Sequence, residues 1–127
     1  MDLNGKKALI NSYIAAYNNF DVEGMLENLS EDIKFENIQS GEINASAYGK
    51  DEFRKLAEQA KSLFSERKQT IENMIDDLGK LSVDITYFGI LAVDMPNGMS
   101  EGDKINLKGI SEFTFSNSQI SSIRDIS

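Results

Sequence analysis

The sequence predicts an α+β domain, a cone-shaped curved antiparallel sheet covered on one face by three helices. Three observations lead there. Amphipathic helical patterns dominate the first half of the chain, strand alternation takes over after Arg67, and 127 residues leave room for one core only. Residues 1–127 are therefore read as a single domain.

Leu9, Ile10, Tyr13, Ile14 and Tyr17 recur at helical spacing behind Asn4, an expected N-cap, which predicts a helix over residues 5–18. Its apolar stripe carries the phenols of Tyr13 and Tyr17. Asp21 reads as the cap of a short second helix that buries Val22, Met25, Leu26 and Leu29. The stretch "EDIKFENI", residues 31–38, then alternates apolar and polar side chains as a half-buried strand does. Residues 39–49, with Gly41 and Gly49, read as a loop or short strand.

A third helix is expected over residues 51–65. It places Phe53, Leu56, Ala57, Ala60, Leu63 and Phe64 on one face, with Asp51 and Glu52 in the first turn, where the helix dipole favours negative charge. Alternation is loose over residues 69–77. After a turn at Asp77-Leu78-Gly79-Lys80 it becomes strict, with Leu81, Val83, Ile85, Tyr87, Leu91 and Val93 on one face. Asp84 and Thr86, on the more polar face, are expected to meet water. Pro96-Asn97-Gly98 ends that strand, Ile105, Leu107, Phe113 and Phe115 mark another, and Asn117-Ser118 turns into a last strand over residues 119–126.

Around Phe88, Ile90 and Ala92 the second face of the long strand is apolar as well. Helices cover one side only, so a second copy of the chain is expected on the other, making a homodimer through the sheet; the alternative is a sheet that curls over its own second face.

Composition narrows the chemistry. A net charge of −8 repels phosphate backbones and anionic lipid, so neither nucleic acid nor a membrane is an expected partner. The longest apolar run, Tyr87 to Val93, is too short to span a bilayer. The opening Met1-Asp2-Leu3-Asn4 has neither the basic nor the apolar segment of a signal peptide, and the expected location is cytoplasmic. With no Cys and no His, nucleophilic triads and Cys/His zinc sites are excluded, and proton transfer falls to Asp, Glu, Lys or Tyr. No cofactor is expected. A metal would need oxygen ligands, and Asp94, Glu101 and Asp103 around Asn97-Gly98 lack the spacing of a calcium loop, so they read as a solvated hairpin tip.

The element order resembles the nuclear transport factor 2-like superfamily, which includes the ketosteroid isomerases and the SnoaL-like polyketide cyclases. The stretches that carry the resemblance are "YIAAYNNFDVEGMLENLSEDIKFEN", "YGKDEF" and "FTFSNSQISSIRDIS", spread over nearly the whole chain. The resemblance implies a pocket between the first helix, the third helix and the concave face of the sheet. It places the phenol donor of the isomerases at Tyr13, their catalytic Asp at Asn37 and their protonated Asp near Lys108. Asn37 is an amide, able to orient a ligand or a water but not to serve as general base, so ketosteroid isomerisation is disfavoured. Glu36 lies next to it but turns to the other face of the strand.

In SnoaL-like cyclases the proton-abstracting Asp lies on the last strand, and its counterpart here is Asp125 in "QISSIRDIS". Ile123 and Arg124 replace the aromatic and imidazole residues that usually precede it, and Arg124 would lower its pKa if the two met. The favoured function is a pocket for a small hydrophobic or partly polar ligand, with Tyr13, Tyr17, Asn37 and Lys108 as ligand-binding residues. The rivals are a lyase, cyclase or isomerase using Asp125 as base and Tyr13 as oxyanion donor, and a non-catalytic dimerisation or interaction domain with a closed core.

Overall fold

The computed structural model describes residues 1–127. In chain order it comprises α1 (Leu3–Asn18), α2 (Val22–Leu26), β1 (Leu29–Gln39), β2 (Glu42–Tyr48), α3 (Gly49–Lys61), β3 (Phe64–Asp77), β4 (Lys80–Leu91), β5 (Lys104–Ser116) and β6 (Gln119–Ile126). The α+β class holds, and no helix is long and apolar enough to cross a membrane. The strands form one open, six-stranded sheet in the order β2-β1-β6-β5-β4-β3.

One expectation about the sheet needs correction. It is mixed rather than antiparallel, because β1 and β6 run parallel, with Phe35 beside Ile123 and Asn37 beside Asp125. All other neighbours are antiparallel. The parallel pair joins the first strand to the last, and so depends on contacts that local alternation does not encode.

Several boundaries also shift. Asp2, not Asn4, caps α1: its extended backbone brings the carboxylate to Gly5 N at 2.8 Å. Asp21 caps α2 as expected, accepting from Gly24 N at 2.9 Å. Leu29 opens β1 instead of closing α2. The weakly patterned stretch after β1 is a hairpin strand, reached through Ser40 and Gly41 at φ of 53° and 81°, the paired positive angles of a tight hairpin turn. α3 stops at Lys61 because the sheet captures the next residues of the chain: Leu63 accepts from Ala92 N at 2.8 Å and Phe64 pairs with Leu91.

The core lies between the concave face of the sheet and the helices. Ile10, Leu29, Ile33, Leu81, Ile120 and Ile123 have no exposed surface. Tyr13 of α1 sets its ring edge-on to Phe113 of β5, with centroids 6.1 Å apart, and tilts against Phe53 of α3 at 6.4 Å. The far end of α1 is tied to β3 by Asn18, whose side chain donates to Gln69 O at 3.0 Å and accepts from Gln69 N at 2.7 Å. Packing of Tyr13 within α1 and this amide clamp at the end of the helix hold it over the sheet with a hollow beneath it.

Candidate functional site

That hollow is a cavity of about 370 Å³, open to solvent on one side and walled mainly by hydrophobic side chains. α1 contributes Tyr13 and Tyr17, α3 contributes Phe53 and Ala57, and the strands contribute the concave-face positions. Tyr13, Tyr17, Asn37, Lys108 and Asp125 all border it.

Asp125 stands on the concave face between Asn37 of β1 and Ser111 of β5, its register partners on either side. Ser111 Oγ donates to Asp125 Oδ1 at 2.6 Å. Burial raises the Asp125 pKa from 3.8 to about 6, and the Ser111 hydrogen bond opposes part of that rise. The expected influence of Arg124 is absent. Strand alternation turns Arg124 to the other face, where it meets Glu36 and Glu112, each at 3.5 Å. Glu36 also faces outward, as its position next to Asn37 implied.

Tyr13 is 5% exposed. Its pKa is raised, first by burial and then by the charge of Asp125, while Arg67 pulls in the opposite direction. The Tyr17 pKa is raised by burial and by the neighbouring Tyr87. Both phenols therefore remain protonated, the Tyr17 hydroxyl engaged with Tyr87 and the Tyr13 hydroxyl able to donate. Asn37 is half-buried, and its Nδ2 donates to Asn44 Oδ1 at 2.6 Å while Asn44 in turn donates to Gln39 Oε1 at 2.9 Å. This amide chain edges the cavity. Lys108 is exposed and shares its strand phase with Ile110 and Glu112, on the face opposite Ser111, so it stands at the rim and not inside.

The strands also bring in residues that sequence reasoning missed. Ser111, Gln69 and Arg67 all border the cavity. Arg67 is 5% exposed, and its guanidinium lies over the Tyr17 ring at 3.8 Å and the Phe20 ring at 4.7 Å. The available signal was phase: Arg67, Gln69 and Ile71 occupy alternate positions of β3, and Ile71 packs on the core. Asp94 and Asp103 cap the turn between β4 and β5, accepting from the backbone amides of Glu101 and Ser100 at 2.9 and 2.8 Å.

The model of the SnoaL-like domain family matches residues 10–123. The chain belongs to the SnoaL-like domain family. No functionally curated protein matches its sequence. Among solved structures, the SnoaL-like domain is similar to AclR, a proposed hydroxylase from Streptomyces galilaeus, with 17% identity, a TM-score of 0.77 and coverage of 98% of this chain and 89% of the other. A proposed polyketide cyclase from Xanthomonas campestris matches at 17% identity and a TM-score of 0.76, covering 98% and 90%. A protein with a ketosteroid isomerase-like fold from Catenulispora acidiphila, crystallised with trimethylamine, matches at 11% identity and a TM-score of 0.74, covering 92% and 82%. At these identities the likeness is one of fold.

The SnoaL-like domain thus joins an apolar hollow to one carboxylate of raised pKa, the three neutral phenols of Tyr13, Tyr17 and Tyr87, and one buried cation. Such a set includes a group able to exchange a proton near neutral pH.

Proposed function

We propose that this SnoaL-like domain binds a small, largely apolar carbonyl compound and that Asp125 removes a proton from the carbon next to the carbonyl. In that step the C–H bond breaks, the proton passes to the Asp125 carboxylate, and the electron pair moves onto the carbonyl oxygen. Tyr13 donates to that oxygen as it gains charge. The observation that carries the proposal is the Asp125 carboxylate, set in the cavity with Ser111 as its hydrogen-bond donor and a pKa of about 6. At neutral pH it is mostly ionised, and it is a stronger base than an ordinary aspartate. The polyketide cyclase assignment of one structural neighbour is compatible with chemistry beside a carbonyl.

The test uses 2-tetralone, a bicyclic ketone with acidic protons beside its carbonyl, in D2O. Proton NMR is expected to show exchange faster than in buffer alone, with the Asp125→Asn variant at least about 100-fold slower than the unchanged protein. Binding without accelerated exchange would refute proton transfer and leave a binding domain. Absence of any effect of tetralone on the Tyr13 and Phe53 resonances would count against the pocket itself.

The second sheet face is proposed as the contact between two copies of the chain. Phe88 and Ile90 are half-buried there and Ile110 is exposed, an apolar set that a symmetric partner would cover. Sedimentation at the mass of a single chain would refute it.

A further inference from the structure

We infer that Arg67 is an anion-binding group of the cavity and that the ligand is an amphipathic anion, an apolar ring body bearing a carboxylate or an equally acidic oxygen. Arg67 makes one hydrogen bond to the protein, from Nε to the Tyr17 carbonyl at 3.1 Å. Its Nη2 is buried without any partner. No carboxylate lies within ion-pair distance of it, although the chain carries 21 acidic residues and pairs other arginines with them.

A buried guanidinium left in this state is expensive, because its lost hydration is only partly replaced. The rings of Tyr17 and Phe20 offset some of that cost through their faces, and the Tyr17 carbonyl near the end of α1 adds the negative pole of a helix. Neither supplies a partner for Nη2. A residue needed only as a strut between α1 and β3 would not require a charge there, since Asn18 already bonds those elements through both the N–H and the C=O of Gln69. What remains without a partner is Nη2 of a planar guanidinium, on a residue that borders a ligand-sized cavity, and a carboxylate is the group that matches a guanidinium with two parallel hydrogen bonds.

The placement relative to Asp125 gives the ligand a direction. Arg67 pairs with Gly89 of β4, whereas Asp125 pairs with Ser111, which faces Val83 of the same strand. From Val83 to Gly89 the strand runs about 20 Å at its usual rise per residue, so Arg67 and Asp125 enter the cavity from separate register positions, with Tyr13, which feels both charges, between them. An anion at Arg67 is thereby kept from the like charge of Asp125, and the apolar body lies between them along Tyr13, Tyr17 and Tyr87. This inference rests on the pocket holding a ligand, but not on Asp125 moving a proton.

The experiment compares 1-naphthoate with its uncharged counterpart 1-acetylnaphthalene by NMR titration. Against the unchanged protein, Arg67→Met is expected to weaken naphthoate binding about tenfold or more, while the acetylnaphthalene affinity stays within about twofold. Arg67→Lys, a point charge without the fork, is expected to recover only part of the loss. Equal losses for both compounds, or no loss for naphthoate, would overturn the subsite. If circular dichroism shows that Arg67→Met does not fold, the unchanged protein decides: the carboxyl of 13C-labelled naphthoic acid should titrate lower when bound than when free, and an unchanged or higher midpoint overturns the inference. Binding of acetylnaphthalene alone overturns the subsite and spares the pocket, whereas binding of neither compound overturns both.

Discussion

Ser111 and Asp125 face each other across β5 and β6 on the concave side of the sheet, with the Ser111 hydroxyl donating to Asp125 Oδ1 at 2.6 Å. The bond stabilises the ionised carboxylate against a burial effect that pushes its pKa up to about 6. Replacing Ser111 with Ala removes the opposing force and leaves the burial. Asp125 should then titrate about one pH unit higher, read from its side-chain carboxyl resonance. An unchanged midpoint would mean that water takes over the serine's role.

The same carboxylate sets a stability trend with pH. Its folded-state pKa lies above its ordinary value, so between 3.8 and about 6 the folded protein holds more protons than the unfolded chain. Stability contributed by this group is therefore full below the lower value, falls as pH rises through the window, and stays lower above it. Asp125→Asn removes the titration while keeping an acceptor for Ser111. Urea unfolding should show the variant gaining on the unchanged protein between about pH 4 and about pH 6, by at most about 3 kcal/mol, with little further change above that window. A constant difference across that range would contradict the raised pKa.

Asn18 makes a different kind of prediction, about how the cavity is kept open. Its amide bonds both backbone groups of Gln69, the N–H at 2.7 Å and the C=O at 3.0 Å. Asn18→Ala leaves both groups without that partner and should cost about 2 kcal/mol in urea unfolding. Asn18→Asp keeps the acceptor and loses the donor, so its cost should be smaller at acidic pH, where the carboxyl regains a proton to donate. Amide exchange at Gln69 should quicken in the alanine variant and not in regions remote from the clamp.

How much of this was legible in the sequence varies from element to element. The helical phase of Ile10, Tyr13, Ile14 and Tyr17, and the strict alternation from Leu81 to Leu91, each state a buried face outright, because burial of one face is what selects such spacing. β2 was faint, since Glu42–Tyr48 is an edge strand whose only fully buried side chain is Ala47, and a mostly exposed strand has little apolar pattern to show. Lys108 was assigned to the pocket by resemblance although strand phase opposes it to Ser111. Arg67 was missed because a charged residue ahead of the first alternating stretch reads as solvated; its burial arises from Tyr17 and Phe20, far earlier in the chain, folding over it. The parallel contact of β1 with β6 has the same non-local origin.

Gly89 and Gly109 offer a paired prediction, since each removes a side chain from the sheet for a different neighbour. A Cβ at Gly89 would meet Phe64 ring atoms at 2.9 and 3.0 Å, and a Cβ at Gly109 would meet the Ile126 carbonyl oxygen at 2.8 Å. The Phe64 ring can rotate away; the backbone of β6 cannot move without disturbing its hydrogen bonds to β5 beside Asp125. Gly89→Ala should therefore cost about 1 kcal/mol and Gly109→Ala about 2–3 kcal/mol in urea unfolding. The site should respond differently as well: Gly109→Ala is expected to shift the Asp125 titration and Gly89→Ala to leave it unchanged, because only the first displaces the strand that carries the carboxylate. The reverse order of cost would show that the Phe64 ring is held more rigidly than the end of β6.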